Sequence, residues 1–147
     1  MRAVLTRVNS ASVEIEGKTV GEISKGFLVL LGVHEDDGEK EAIKIADKIC
    51  GLRIFTDEND KMNLNPKDAG AELLIVSQFT LYADCKSRRP GFSKAARPET
   101  AIPLYELVIE ECQRRGFKVA TGQFGAKMLV KSENDGPVTI ILDTKEL

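Results

Sequence analysis

"KGFLVLLGV" spans Lys25–Val33. From Phe27 onward only Gly32 interrupts the apolar run. A run without alternation suits a central strand buried on both faces rather than a strand wetted on one side. Its neighbours must then be strands too. Upstream, "RAVLTRVNSASVEI" (Arg2–Ile15) alternates like a long, bent strand, and "EGKTVGEI" (Glu16–Ile23) holds a turn at Gly17 and a short return.

Downstream the period changes. "DDGEKEAIKIADKICGL" reads as a first helix, with Asp36 and Glu39 at capping-box spacing and Ile43, Ala46, Ile49 and Cys50 as its apolar stripe. "RIFTDENDKMN" reads as a strand entering a polar turn, and "AGAELLIVSQFTLYAD" as a strand with a fully apolar first half. "RPETAIPLYELVIEECQRRGF" is the second helix, with Pro103 in its first turn, a stripe of Leu104, Leu107, Val108 and Cys112, and a stop at Gly116. "KVATGQFGAKMLVKS" and "VTIILDT" close the chain as strands, and "ENDGPVTI" (Glu133–Ile140) between them reads as a hairpin turning at Asn134-Asp135. The expected fold is α+β: a mostly antiparallel, barrel-like or two-sheet core with two flanking helices, in one domain over residues 1–147.

Charged residues make up 30% and hydrophobics 42%, and no apolar run approaches the roughly 20 residues that span a bilayer. The N-terminus lacks the apolar core of a signal peptide, so the cytoplasm is the expected location and no membrane partner is expected. The three cysteines form no disulfide framework. Cys50 and Cys112 fall on helical patterns and are expected to be buried, whereas Cys85 has Lys86, Arg88 and Arg89 nearby to favour a thiolate. Net charge is −2, which gives no global signal for nucleic acid. The charge is unevenly spread, however: "DCKSRRPGFSKAAR" (Asp84–Arg97) carries five basic residues and one acid. A solvated face is the plain reading of such a run.

Much chemistry is absent. There is no G-x-S-x-G elbow, P-loop or zinc-spaced Cys/His cluster. His34, the only histidine, is expected at an exposed strand end, and four consecutive residues "HEDD" cannot all face one metal. Neither a metal nor a cofactor is expected. The side chains offer little acid–base or nucleophilic machinery, which leaves backbone dipoles or a reactive group of the substrate itself.

Two stretches stand out together, "SQFTL" (Ser77–Leu81) and "NDGPVT" (Asn134–Thr139). With "MRAVLTRV", "KGFLVLLGV", "FSKAA" and "TGQFGAKM", they make the chain resemble the D-aminoacyl-tRNA deacylase family from Met1 to the final strand. The resemblance implies a homodimer with active sites at its interface. The implied reaction is hydrolysis of the ester joining a D-amino acid to the terminal adenosine of tRNA. Ser77, Gln78, Phe79 and Thr80 would line the pocket. Gly136-Pro137 would be a cis peptide inserted into the partner's pocket, with Arg7 helping to hold it. Glycine tolerates unusual backbone angles, and a cis X–Pro bond costs only about 0.5–1 kcal/mol. Carbonyls there would grip the substrate ammonium and wall off an L side chain.

Thr80 is then either a nucleophile or a positioning residue. The alternative to a nucleophile is help from the terminal ribose 2′-hydroxyl, with amides near Phe79-Thr80 as an oxyanion hole. The Phe79 ring either stacks on adenine or joins the core. Lys86, Arg88, Arg89, Lys94 and Arg97 would meet phosphates of the acceptor end. The loop "DCKSRRPGF" departs from the family pattern, lacking a glycine before its Arg-Pro pair and carrying Gly91 where serine is usual. Lys127 stands where an acid is expected. Two rival readings are a nucleic-acid-binding module without catalysis and a thiol-dependent hydrolase using Cys85.

Overall fold

The computed structural model describes residues 1–147. Its elements in chain order are β1 (Arg2–Ile15), β2 (Lys18–Ile23), β3 (Gly26–Gly32), α1 (Glu39–Gly51), β4 (Phe55–Thr56), β5 (Met62–Leu64), β6 (Glu72–Ser77), α2 (Pro98–Arg114), β7 (Val119–Thr121) and β8 (Leu129–Asp143). A 3-10 turn at Phe79–Tyr82 follows β6. β3 lies in the middle of the path β2-β1-β3-β6-β7, as its unbroken apolar run requires.

Strand β1 organises the sheet. Its first half pairs with β3 and its second half with β2, both antiparallel, while β8 runs antiparallel along its other edge. This bend curls β2 towards β7: a Cβ on Gly21 would lie 2.5 Å from the Thr121 carbonyl oxygen, so only glycine allows the approach. The result is a nearly closed, barrel-like sheet beside the small β4–β5 hairpin. Two pairings, β3–β6 and β6–β7, are parallel. Parallel neighbours need long crossovers, and α1 and α2 lie in those crossovers.

The two faces of β3 and β6 bury different sets. Phe27, Val29, Leu31, Leu73 and Ile75 join the helix residues Ile45, Ile49, Leu104 and Val108 in the larger core. Leu28, Leu74 and Val76 join Val8, Ala11 and Val13 of β1 in the smaller one. No helix is long and apolar enough to cross a membrane.

Several expectations need correction. Helix α1 is capped at Gly38, whose amide donates to Glu41 at 2.8 Å; that bond holds the Glu41 carboxyl below the usual range. Asp36 stays outside, because the neighbouring Asp37 carboxylate accepts from the His34 amide and pairs with the Met1 ammonium at 2.8 Å. Within α1, Ala46, Ile49 and Cys50 are buried as the stripe predicted, but Ile45 takes the inward place expected of Ile43, which is exposed. Pro98 takes the first turn of α2, and Pro103 lies inside the helix. Strand β6 ends at Ser77, and a 3-10 turn replaces the expected second half of the strand.

The largest correction is at "ENDGPVTI". There is no hairpin: β8 runs through it as one strand. Thr139 faces Thr6 and Asn134 faces Val8, so Asp135–Val138 bulges out of the β1–β8 ladder. Gly136 and Pro137 are at the surface there, and the peptide bond between them is cis.

Candidate functional site

The β6 exit is held from below. The Gln78 amide donates to the Leu31 carbonyl at 2.8 Å, which extends the β3–β6 ladder by one bond. The chain then turns, and Leu81 donates to Gln78 at 3.3 Å. Phe79 and Thr80 therefore occupy the start of a helical turn, where amides lack intrahelical acceptors. Both residues are exposed, and Ser77 and Gln78 are half-buried. The Gln78 side-chain nitrogen donates to the Thr80 hydroxyl. A side-chain amide is no base, so nothing in the chain is placed to take the Thr80 proton.

Three phenylalanines surround a cavity of about 790 Å³ next to this turn: Phe79, Phe92 and Phe124. The rings of Phe79 and Phe92 meet edge to face at 5.1 Å. Arg97 and Glu99, at the start of α2, complete one wall. Phe92 and Phe124 received no role from sequence. Their signal was the motifs "FSKAA" and "TGQFGAKM", each of which contains one of these rings.

The basic stretch folds as a closed turn. Asp84 and Gly91 exchange backbone hydrogen bonds at 2.8 and 2.9 Å, and the Ser87 hydroxyl donates to the Arg89 carbonyl at 2.7 Å. Phe92 ties this turn to Phe79. Lys86, Arg88, Arg89, Lys94 and Arg97 are all exposed, and none forms an ion pair, although the chain makes such pairs elsewhere. Lys127 is likewise exposed.

His34 departs from expectation. It is 7% exposed, its ring edge against Tyr82 at 5.1 Å. The Asp36 amide donates to its Nδ1 at 3.1 Å, so the proton of the neutral ring sits on Nε2. His34 shares a second cavity, of about 700 Å³, with Cys85. No hydrogen bond joins the two, and a ring protonated on Nε2 with Nδ1 already occupied has no lone pair for a thiol. That argues against thiol-dependent hydrolysis. Cys50 and Cys112 are buried, as expected.

Arg7 is buried against the β8 bulge. Its Nη1 donates to the Ile54 carbonyl at 2.9 Å, and its Nε lies 3.3 Å from the Asp135 carbonyl and 3.2 Å from the Asp135 carboxylate. Gly136 has φ +119, and a Cβ there would lie 3.1 Å from Arg7 Nη2. The residue must be glycine on both counts.

The two motifs do not meet within one chain. Arg7 faces Phe27 on β3, while Ser77 faces Leu31. The bulge and the β6 exit are thus offset by four residues along the strands, roughly 13 Å, and by three strand spacings across the sheet, roughly 14 Å.

Comparison with known proteins identifies a family. The family model described as D-Tyr-tRNA(Tyr) deacylase matches residues 4–143. A "D-aminoacyl-tRNA deacylase" of Clostridioides difficile (strain 630) is 57% identical over 99% of each chain. One of Thermosipho africanus (strain TCF52B) is 56% identical over 100% of this chain and 99% of its own. Among solved structures, the "c-Myc DNA Unwinding Element Binding Protein" matches with a TM-score of 0.91 at 39% identity, covering 97% of this chain and 98% of its own. A "probable eukaryotic D-amino acid tRNA deacylase" shares the fold at a TM-score of 0.84 and 16% identity, over 96% and 97%. With the family model spanning nearly the whole chain and relatives this similar, the protein belongs to the D-Tyr-tRNA(Tyr) deacylase family.

Proposed function

We propose that this protein is a hydrolase that cleaves the ester between a D-amino acid and the terminal adenosine of tRNA, a chirality-editing reaction. Full-length identity of 57% to a protein named for that activity carries the reading. The three-ring cavity supports it: aromatic faces suit an unstacked base, and the β6 exit lies beside them.

In the reaction we propose, water adds to the ester carbon and the amides of Phe79 and Thr80 receive the resulting oxyanion. The ribose 3′ oxygen leaves with a proton relayed by the adjacent 2′-hydroxyl. Thr80 positions the substrate, since its hydroxyl faces only the Gln78 amide. Lys86, Arg88, Arg89, Lys94 and Arg97 hold acceptor-end phosphates, and their lack of ion pairs supports that role. The work is done in the cytoplasm, without a cofactor.

Selectivity is assigned to Gly136-Pro137 of a second copy. The offset between the two motifs supports a homodimer, because the bulge of one chain does not reach its own β6 exit. Carbonyls of the bulge would accept from the substrate ammonium and leave no room for an L side chain. Glycine presents no side chain to exclude. Purified protein is therefore expected to deacylate D-tyrosyl-tRNA and glycyl-tRNA and to spare L-tyrosyl-tRNA. Cleavage of the L ester at a similar rate refutes the steric account. Absence of all cleavage, with tRNA still bound, favours the binding-module reading instead.

A further inference from the structure

The second cavity takes no part in the bond-breaking step, although Lys86 and Lys94, assigned to acceptor-end phosphates above, stand on it. It measures about 700 Å³ and is polar, with Glu35 on its border with the three-ring cavity. Three ammonium groups line it without ion pairs: Lys86 and Lys94 from the basic stretch, and Lys145 from the turn after β8. Lys145 is far from the others in sequence and was assigned nothing by motif or charge run. The fold brings it there because β8 runs antiparallel to β1 and ends beside Arg2, which faces Asp143.

The cavity also contains a preset donor. His34 is more than nine-tenths buried, and its Nδ1 is occupied by the Asp36 amide. Its Nε2 carries the proton and has no partner in the chain. The only sealed side-chain polar atom without a partner is Arg115 Nε, so His34 Nε2 is not sealed, and the ring lines both this cavity and a smaller one beside α1. Tyr82 holds the ring edge-on from one side, and the Arg2 guanidinium lies 4.6 Å from the centre of the Tyr82 ring. A fixed donor on a buried, packed ring is pre-organised for a ligand.

The lining is mixed in sign. Glu35, Asp36 and Asp84 line the same space as the three ammonium groups. A bare anion site would exclude them. A nucleotide uses both: its phosphodiester takes the cations and its hydroxyls or exocyclic amine donate to carboxylates. The shared border at Glu35 sets the order, since a strand whose terminal base fills the three-ring cavity has this space directly beside it.

We infer that this cavity binds the nucleotide preceding the terminal adenosine of the acceptor end, with its phosphate on Lys86, Lys94 and Lys145 and His34 Nε2 donating to the same nucleotide. The inference rests on the deacylase reading and extends it by one nucleotide. It adds His34 and Lys145 to the nucleic-acid contacts.

The test compares two substrates, D-tyrosyl-tRNA and D-tyrosyl-adenosine, which lacks every upstream phosphate. Lys145 is exposed, so Lys145→Ala and Lys145→Glu are expected to fold. Lys145→Ala should raise KM for the tRNA about fivefold relative to KM for the adenosine ester, and Lys145→Glu should raise it further. The slope of log affinity against log salt for tRNA should fall by about 0.7 in Lys145→Ala, the single-strand value for one phosphate contact. Equal KM ratios in wild type and both variants overturn the inference. Failure of the wild type to cleave either ester overturns the deacylase reading instead, so the two failures are distinct.

Discussion

The β6 exit and the β8 bulge both interrupt a strand to present backbone to solvent, yet they are supported differently. The exit is built on a buried strand: its Gln78 amide is bonded to Leu31, and Val76 just before it is in the core. The bulge leaves the ladder for four residues, and beyond the packing of Val138 on the larger core its one side-chain anchor is Arg7. A surface held by a sheet survives the loss of any single group. One held by a single cation does not.

The sharpest way to break this contrast is Arg7→Ala. It removes the donor to the Ile54 carbonyl and the anchor of Asp135 together. It also leaves the buried carbonyl unpaired. We expect a stability loss of about 3 kcal/mol, read as a lower denaturant midpoint at constant slope. Deacylation of D-tyrosyl-tRNA should fall at least a hundredfold under conditions where the variant remains folded. Full activity in folded Arg7→Ala would show that the bulge does not belong to the site.

Thr80→Ala probes the other region and should do less. The hydroxyl meets only an amide, and the Thr80 N–H survives the substitution. Turnover should stay within about tenfold of wild type, a change of about 1.4 kcal/mol or less in the barrier. A loss of a thousandfold with unchanged KM would restore Thr80 as nucleophile. A tRNA ending in 2′-deoxyadenosine should be the poorer partner for wild type, since the ribose hydroxyl is then missing.

The same contrast explains what was legible in sequence. The unbroken run of β3 and the alternation of β1 report burial directly, so the core strands were readable. The bulge was not. Asn-Asp-Gly carries the local marks of a hairpin turn although the proline after it does not, and the pairing that overrides them comes from β1, more than a hundred residues away. His34 was misplaced for a related reason. A polar residue after a strand is ordinarily wet, but Tyr82 and the Asp36 amide enclose this one. Helix α1 begins later than its spacing suggested because Glu41 caps the Gly38 amide, while the fold draws Asp37 onto the Met1 ammonium. The motif residues at Ser77–Thr80 were found through family resemblance, and their exposed turn supplies a physical basis that no periodicity contained.

The smallest expected effect tests how widely support for the β6 exit is shared. Tyr105 of α2 donates its hydroxyl to the Ile75 carbonyl at 2.7 Å, two residues before Ser77. This is one bond among several on β6, so Tyr105→Phe should cost about 1 kcal/mol and leave turnover unchanged. The pH dependence reports the buried hydroxyl. Burial pushes the Tyr105 hydroxyl up to about 12, from an ordinary value near 10. Raised in the folded state, the group stabilises fully below pH 10, and this contribution is lost as pH rises through about 12. Wild type should therefore lead Tyr105→Phe in stability at neutral pH and lose that lead between about pH 10 and 12. A constant gap across this window would mean that ring packing, not the hydroxyl, supports β6. A fall in turnover comparable to that of Arg7→Ala would mean that the exit, like the bulge, depends on a single group.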